Sequence, residues 1–246
     1  MVPTDRATQL AAQSAEILQR VRTVVANADG FDAQSSTRRF TIGGPDAVLA
    51  VVLPAILSAF AKVGPMIDLS TRLTLPQSAV DDLESRKADL VVGPQVEVPH
   101  RFASARLYDE EFAIALRAGH PLGRRLSLAR YCAASHVLVS MTGDPYGNVD
   151  LELKKLGRTR RVAATVPNFL LALALVAETD LVAAVPRQAA AHARRLGVVL
   201  VDPPAPLAPL ARSAIKVLCT RAALEDAGIA WLFGVVSTCM GARRAP

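Results

Sequence analysis

The sequence predicts an α/β protein made of two lobes of parallel-sheet type with a cleft between them, preceded by one amphipathic helix. Three observations carry this. Short apolar strand patterns alternate with helical ones from residue 38 onward. The second half of the chain repeats that alternation, which supplies enough elements for two lobes rather than one. Ahead of them, Ala7, Leu10, Ser14, Ile17, Val21 and Val24 recur at spacings of 3, 4, 3, 4 and 3, a heptad seam that keeps one helix stripe against another.

The elements follow in order. Pro3 and Thr4 suit a helix entrance and Gly30 its exit. Leu10, Ile17, Val21 and Val24 are the candidate dimerisation residues of this leading helix. Residues 31–37 read as a polar hinge. Phe40 and Ile42 alternate in a first strand over 38–43, and Gly43-Gly44-Pro45-Asp46 turns into a helix whose apolar face carries Leu49, Val52, Leu53, Ile56, Leu57 and Phe60. Pro54 lies inside that pattern and is expected to loosen its first turns. A second strand over 67–73, a short helix after Ser78 and a buried strand over 89–93 complete a βαβαβ unit. The second half reads as strands over 111–117, 136–140, 160–166, 181–185 and 198–201, with helices over 127–133, 148–156, 168–178 and 187–196. A Pro-rich spacer over 203–209 leads to a last strand, 214–219, and a last helix, 224–240. The predicted organisation is a linker helix and hinge (1–37), a binding domain (38–240) and a tail (241–246). Lobe I takes 38–104 plus 214–240, and lobe II takes 105–213.

Composition narrows the function. Of 246 residues, 51% are hydrophobic and 20% charged, enough for a sizeable core and far from a disordered balance. The net charge of +6 is spread over separate arginine pairs with no interleaved aromatics, so a single-strand nucleic-acid surface is not expected. Three widely spaced cysteines make neither a disulfide framework nor a zinc knuckle. Thr4, Asp5 and Arg6 stand where an export signal carries its apolar run, and the longest apolar stretch, 169–177, is too short for a membrane span, so a cytoplasmic protein without membrane contact is expected. No nucleophile elbow, P-loop, zinc helix or dinucleotide fingerprint occurs. The four histidines stand in unrelated contexts, the run Asp109-Glu110-Glu111 reads as a solvated edge, and the five lysines as surface residues. No catalytic residue, metal or cofactor is expected.

What remains is binding machinery. Ligands of open α/β lobes sit beyond the carboxyl ends of the strands, where helix N-termini point in. Pro45 and Asp46 follow the first strand, Gln77 the second, Thr142 and Gly143 the strand over 136–140, and Asn168 and Phe169 that over 160–166. Asp46 is expected to cap its own helix, which directs an anionic ligand to the other lobe, near Thr142, Gly143 and Asn168. Phe169 offers an aromatic face and Asn168 a polar anchor. Cys219 completes the candidate set. A solute-binding protein for transport shares this architecture, and the missing export signal argues against it.

Several stretches resemble LysR-type transcriptional regulators: RRFTIGGPD (38–46) with LPAIL (53–57), DLVVG (89–93), LYDEEF (107–112), GHPL (119–122), and VLCTR (217–221) with DAGIAWL (226–232). The stretch HVLVSMTGDPYGNVD (136–150) with VPNF (166–169) and TDLVAAVP (179–186) looks most like the subgroup that answers to aromatic acids and flavonoids. The resemblance implies a periplasmic-binding-protein-like (type 2) two-lobe effector domain behind a linker helix. It further implies a small aromatic or carboxylate inducer in the cleft, assembly with itself as dimer or tetramer, and control of transcription. Such regulators touch DNA through a winged helix-turn-helix head ahead of the linker, and this chain is expected to lack it, through truncation, a mis-set start codon or a naturally headless form; a headless regulator that modulates full-length relatives is the alternative reading. Leu218-Cys219 stands where the subgroup often carries Trp-His, which leaves the inducer open.

Overall fold

The structure, a computed structural model, describes residues 6, 14, 15, 17, 18, 21, 30–94, 98–207 and 213–240. Ile17 and Val21 are helical and exposed in the single chain. Leu10 and Val24, the other two seam residues, lie outside the described residues, as does the tail.

The first lobe is a five-stranded sheet in the order β2-β1-β3-β10-β4. Strands β1 (Arg39–Gly44), β2 (Asp68–Leu73) and β3 (Leu90–Pro94) run parallel, joined by α1 (Asp46–Val63) and α2 (Ala79–Glu84). β10 (Ser213–Thr220) enters antiparallel between β3 and β4 (Phe102–Glu110). The period of two sorts its side chains. Ile215, Val217 and Cys219 join Phe40, Val52, Ile56 and Leu232 in one core, while Leu218 packs with Val91, Phe102 and Leu83 on the other face. Among the described helices α1 alone is long and apolar enough to cross a membrane, and its stripe of Val52, Ile56 and Phe60 is buried in this core. The helix continues through Pro54, which lies on its exposed side.

The hinge is more than polar. Phe31 packs on Trp231 of α7 (Ala227–Cys239) at 5.3 Å between ring centroids, beside Phe40 and Phe60. Arg38 bonds Asp226 at 2.7 Å. A Cβ at Gly228 would lie 2.7 Å from the Arg38 guanidinium and 3.1 Å from the Phe31 ring, so the glycine leaves room for both hinge side chains against α7.

The second lobe holds β5 (Phe112–Arg117), β8 (Ala183–Pro186) and β9 (Val198–Val201) as an antiparallel sheet ordered β8-β5-β9. The parallel pair β6 (Ser135–Val139) and β7 (Arg161–Val166) joins it through bonds of Val137 and Val182. Helices α3 (Leu128–Ala133), α4 (Asn148–Lys155), α5 (Phe169–Glu178) and α6 (Ala190–Arg195) cover these strands.

Three expectations change. Neither lobe is built on a purely parallel sheet, because the chain passes between lobes at β4–β5 and again before β10, and each passage delivers a reversed strand: the first sheet is mixed and β8-β5-β9 is antiparallel. β4 was not foreseen; its alternation rests on Ala103, Ala105 and Leu107 against Ser104 and Arg106, too faint a contrast to read as a strand. Since β4 pairs with β10 throughout, residues 105–110 belong to the first sheet, and the passage falls at Glu111 rather than after residue 104.

Candidate functional site

Two helix N-termini, one from each lobe, meet where β1 and β7 end. Gly44 closes β1 without a side chain because a Cβ there would stand 2.6 Å from the Val92 carbonyl oxygen of β3. Pro45 then fixes an extended backbone at the N-cap of α1 and supplies no side-chain cap. Asp46 is the first residue of the helix. Opposite, Asn168 caps α5, its Oδ1 accepting the Leu171 N–H at 2.8 Å.

Asp46 joins the two. Its Oδ2 accepts the Phe169 N–H at 2.8 Å, across 123 residues of chain. The expectation that Asp46 caps its own helix is thereby corrected: the carboxylate serves the facing helix, where unpaired N–H groups and the helix dipole favour a negative charge. The α5 terminus expected to receive a ligand anion already holds one. Phe169 also presents its ring to Phe112, the first residue of β5, at 6.2 Å between centroids. The sequence reading missed Phe112, although in a chain with 4% aromatics its position at the passage between lobes was a usable signal.

Thr142 and Gly143 lie exposed in the loop after β6, with Gly143 at φ 78°, a conformation that favours glycine. A buried network holds this loop. The Gly147 N–H donates to Asp150 Oδ2 at 2.9 Å, and Arg160 donates to both Asp150 oxygens at 2.9 Å and to the Tyr131 hydroxyl at 3.1 Å. Burial pushes the Asp150 carboxyl up, but the bonds from Arg160 and Gly147 outweigh it and hold it below the usual carboxylate range. His136, fully buried with one ring nitrogen 2.9 Å from the Tyr131 carbonyl oxygen, is pushed down to about 4, first by burial and then by Arg160.

Gln77 is exposed in the turn after β2, at the same end of the first sheet as Pro45 and Asp46. Cys219 is the exception. It is fully buried in the first core and burial pushes its thiol up to about 11, so it does not line the cleft. Its strand parity points it toward α1 and α7. The acidic run also reads differently in the structure: Glu110 is 4% exposed at the passage between lobes, and burial raises its carboxyl to about 7.

Two α/β lobes, joined by two passages and facing each other through helix N-termini, define a two-lobe ligand-binding domain of the periplasmic-binding-protein type. Comparison with known proteins places it more closely. The LysR substrate binding domain matches residues 33–238, and the chain belongs to that family. The transcriptional regulator SyrM 1 of Sinorhizobium fredii is 34% identical over 212 residues, 85% of this chain and 61% of that protein. The chain thus spans about three fifths of the length of this curated relative. Among solved structures, the regulatory domain of MexT, a transcriptional activator in Pseudomonas aeruginosa, shares 31% identity with a TM-score of 0.70 and covers 83% of this chain and 99% of its own. The BenM effector binding domain, solved with its effector benzoate, has the same fold at 17% identity, a TM-score of 0.63, and coverage of 86% of this chain and 97% of its own.

Proposed function

We propose that this chain is the effector-sensing and oligomerising part of a cytoplasmic LysR-type DNA-binding regulator, and that a small aromatic carboxylate binds between its lobes. The observation that carries this reading is the Asp46–Phe169 bond, which brings polar helix ends and an aromatic pair to one cleft. In our reading Pro45, Asp46 and Gln77 form the wall from lobe I, and Thr142, Gly143, Asn168 and Phe169, joined by Phe112, form the wall from lobe II. The ligand ring lies against the phenylalanines. Its carboxylate sits toward Thr142 and Gly143, because a second carboxylate beside Asp46 is repelled. Benzoate on BenM is an effector of this chemistry. Self-association runs through the seam of Leu10, Ile17, Val21 and Val24. Effector binding shifts the populations of lobe arrangements by its differential affinity for them.

A panel of aromatic acids, read by melting temperature, tests this. A ligand at a hundred times its Kd adds about 2.7 kcal/mol, which at this chain length raises the melting temperature by roughly 5–10 °C. No shift across the panel contradicts the reading.

A further inference from the structure

One cavity among the described residues stands apart from the cleft. It lies at the opposite pole of lobe I, where β1 begins and β10 ends, and encloses about 810 Å³, a volume suited to a small metabolite. Five arginines are among its lining residues, Arg38, Arg39, Arg86, Arg101 and Arg221.

Their charge is incompletely answered. Arg38 bonds Asp226 at 2.7 Å, Arg101 bonds Glu84 at 2.5 Å, and Arg39 turns to Asp68 at 2.6 Å. Asp89, the third lining carboxylate, accepts the Thr41 N–H at 2.7 Å. The Arg221 side chain donates to the His100 carbonyl oxygen at 2.7 Å, and its backbone N–H to that of Arg101 at 2.9 Å. Among the described residues neither Arg86 nor Arg221 has an ion-pair partner, and the lining keeps a net positive charge.

Arg86 is also held at a backbone cost. At φ 55° it is the one described residue other than glycine in the left-handed region. It stands just past the end of α2, where its N–H bonds the Leu83 carbonyl oxygen and the next two N–H groups bond that of Asp82. Glycine fills such a position without strain. An arginine kept there, lining a cavity and without an ion-pair partner among the described residues, indicates that the side chain is needed for something outside the chain.

We propose that this cavity is a second binding site, for a compact anion carrying at least two negative charges, a phosphate ester or a polycarboxylate, bridged between Arg86 and Arg221. The planar guanidinium fork matches the paired oxygens of either group. The site touches the hinge through Arg38, whose partner Asp226 caps α7. An anion drawing on Arg38 therefore bears directly on the segment that leads to the linker helix.

Calorimetric titration of the full chain with pyrophosphate, and separately with citrate, at constant ionic strength tests this. Saturable binding of at least one probe is expected, and the tighter of the two identifies the ligand class. Arg86→Gly relieves the backbone, so the variant is expected to melt at the same or a higher temperature while its affinity falls about tenfold or more. Arg221→Ala is expected to weaken binding similarly. Absence of saturable binding to the wild type, or unchanged affinity in both variants, overturns the proposal.

Discussion

Asp46 ties the lobes together at a single amide, and its removal has a local signature. In Asp46→Ala the Phe169 N–H loses its acceptor while the Leu171 N–H keeps Asn168. Hydrogen exchange at Phe169 is therefore expected to accelerate about tenfold relative to Leu171, the worth of one charge-assisted bond. Equal acceleration at both amides would indicate general unfolding instead. The Arg160–Asp150 pair is a different case, with side chains only 1% and 10% exposed. Asp150→Ala strands a buried guanidinium and is expected to cost about 3–5 kcal/mol in denaturant unfolding. Two further buried groups oppose each other in pH. His136, lowered from 6.5 to about 4, contributes stability present above pH 6.5 and lost as pH falls toward 4. Glu110, raised from 4.5 to about 7, contributes stability present below pH 4.5 and lost as pH rises through 7. Glu110→Gln removes the second contribution, so its stability is expected to rise more from pH 5 to pH 7 than the wild type's does. Urea unfolding at the two pH values reads the difference.

At the scale of elements, legibility followed local contrast. α1, α5 and α7 announce themselves through long apolar faces, and β1 and β3 through dense Val, Ile and Leu runs. β4 stays hidden because alanines alternate with serine and arginine, and its strand is stabilised by pairing with β10 rather than by its own pattern. The candidate cleft residues after β1, β2, β6 and β7 rest on a rule of topology, that ligands sit beyond the ends of parallel strands. Cys219 was misplaced for the converse reason. Parity separates Cys219 from Leu218, but which face meets the core depends on α1 and α7 docking, a tertiary fact. The destination of the Asp46 side chain was equally tertiary, since its acceptor role lies across the cleft. The hinge gives an element-scale prediction. Trp231→Ala removes the ring shared by Phe31, Phe40 and Phe60, and is expected to destabilise the chain by about 3–5 kcal/mol in denaturant unfolding.

For the molecule as a whole, the economy of connections matters. Two chain passages and the Asp46–Phe169 bond join two separately cored lobes, so a ligand can act on their mutual arrangement while each core stays packed. The same first lobe is clamped to the hinge through Arg38, Asp226 and Trp231. A change in the cleft is thereby mechanically continuous with the segment that enters the linker helix. That continuity holds only when the cleft between α1 and α5 is where the effector binds. Calorimetric titration of benzoate and related aromatic carboxylates into the wild type and Phe169→Ala tests it directly. Saturable binding, weakened about tenfold or more by loss of the Phe169 ring, is the expected result. Absence of binding across the series, or equal affinity for both proteins, would contradict the assignment of this cleft.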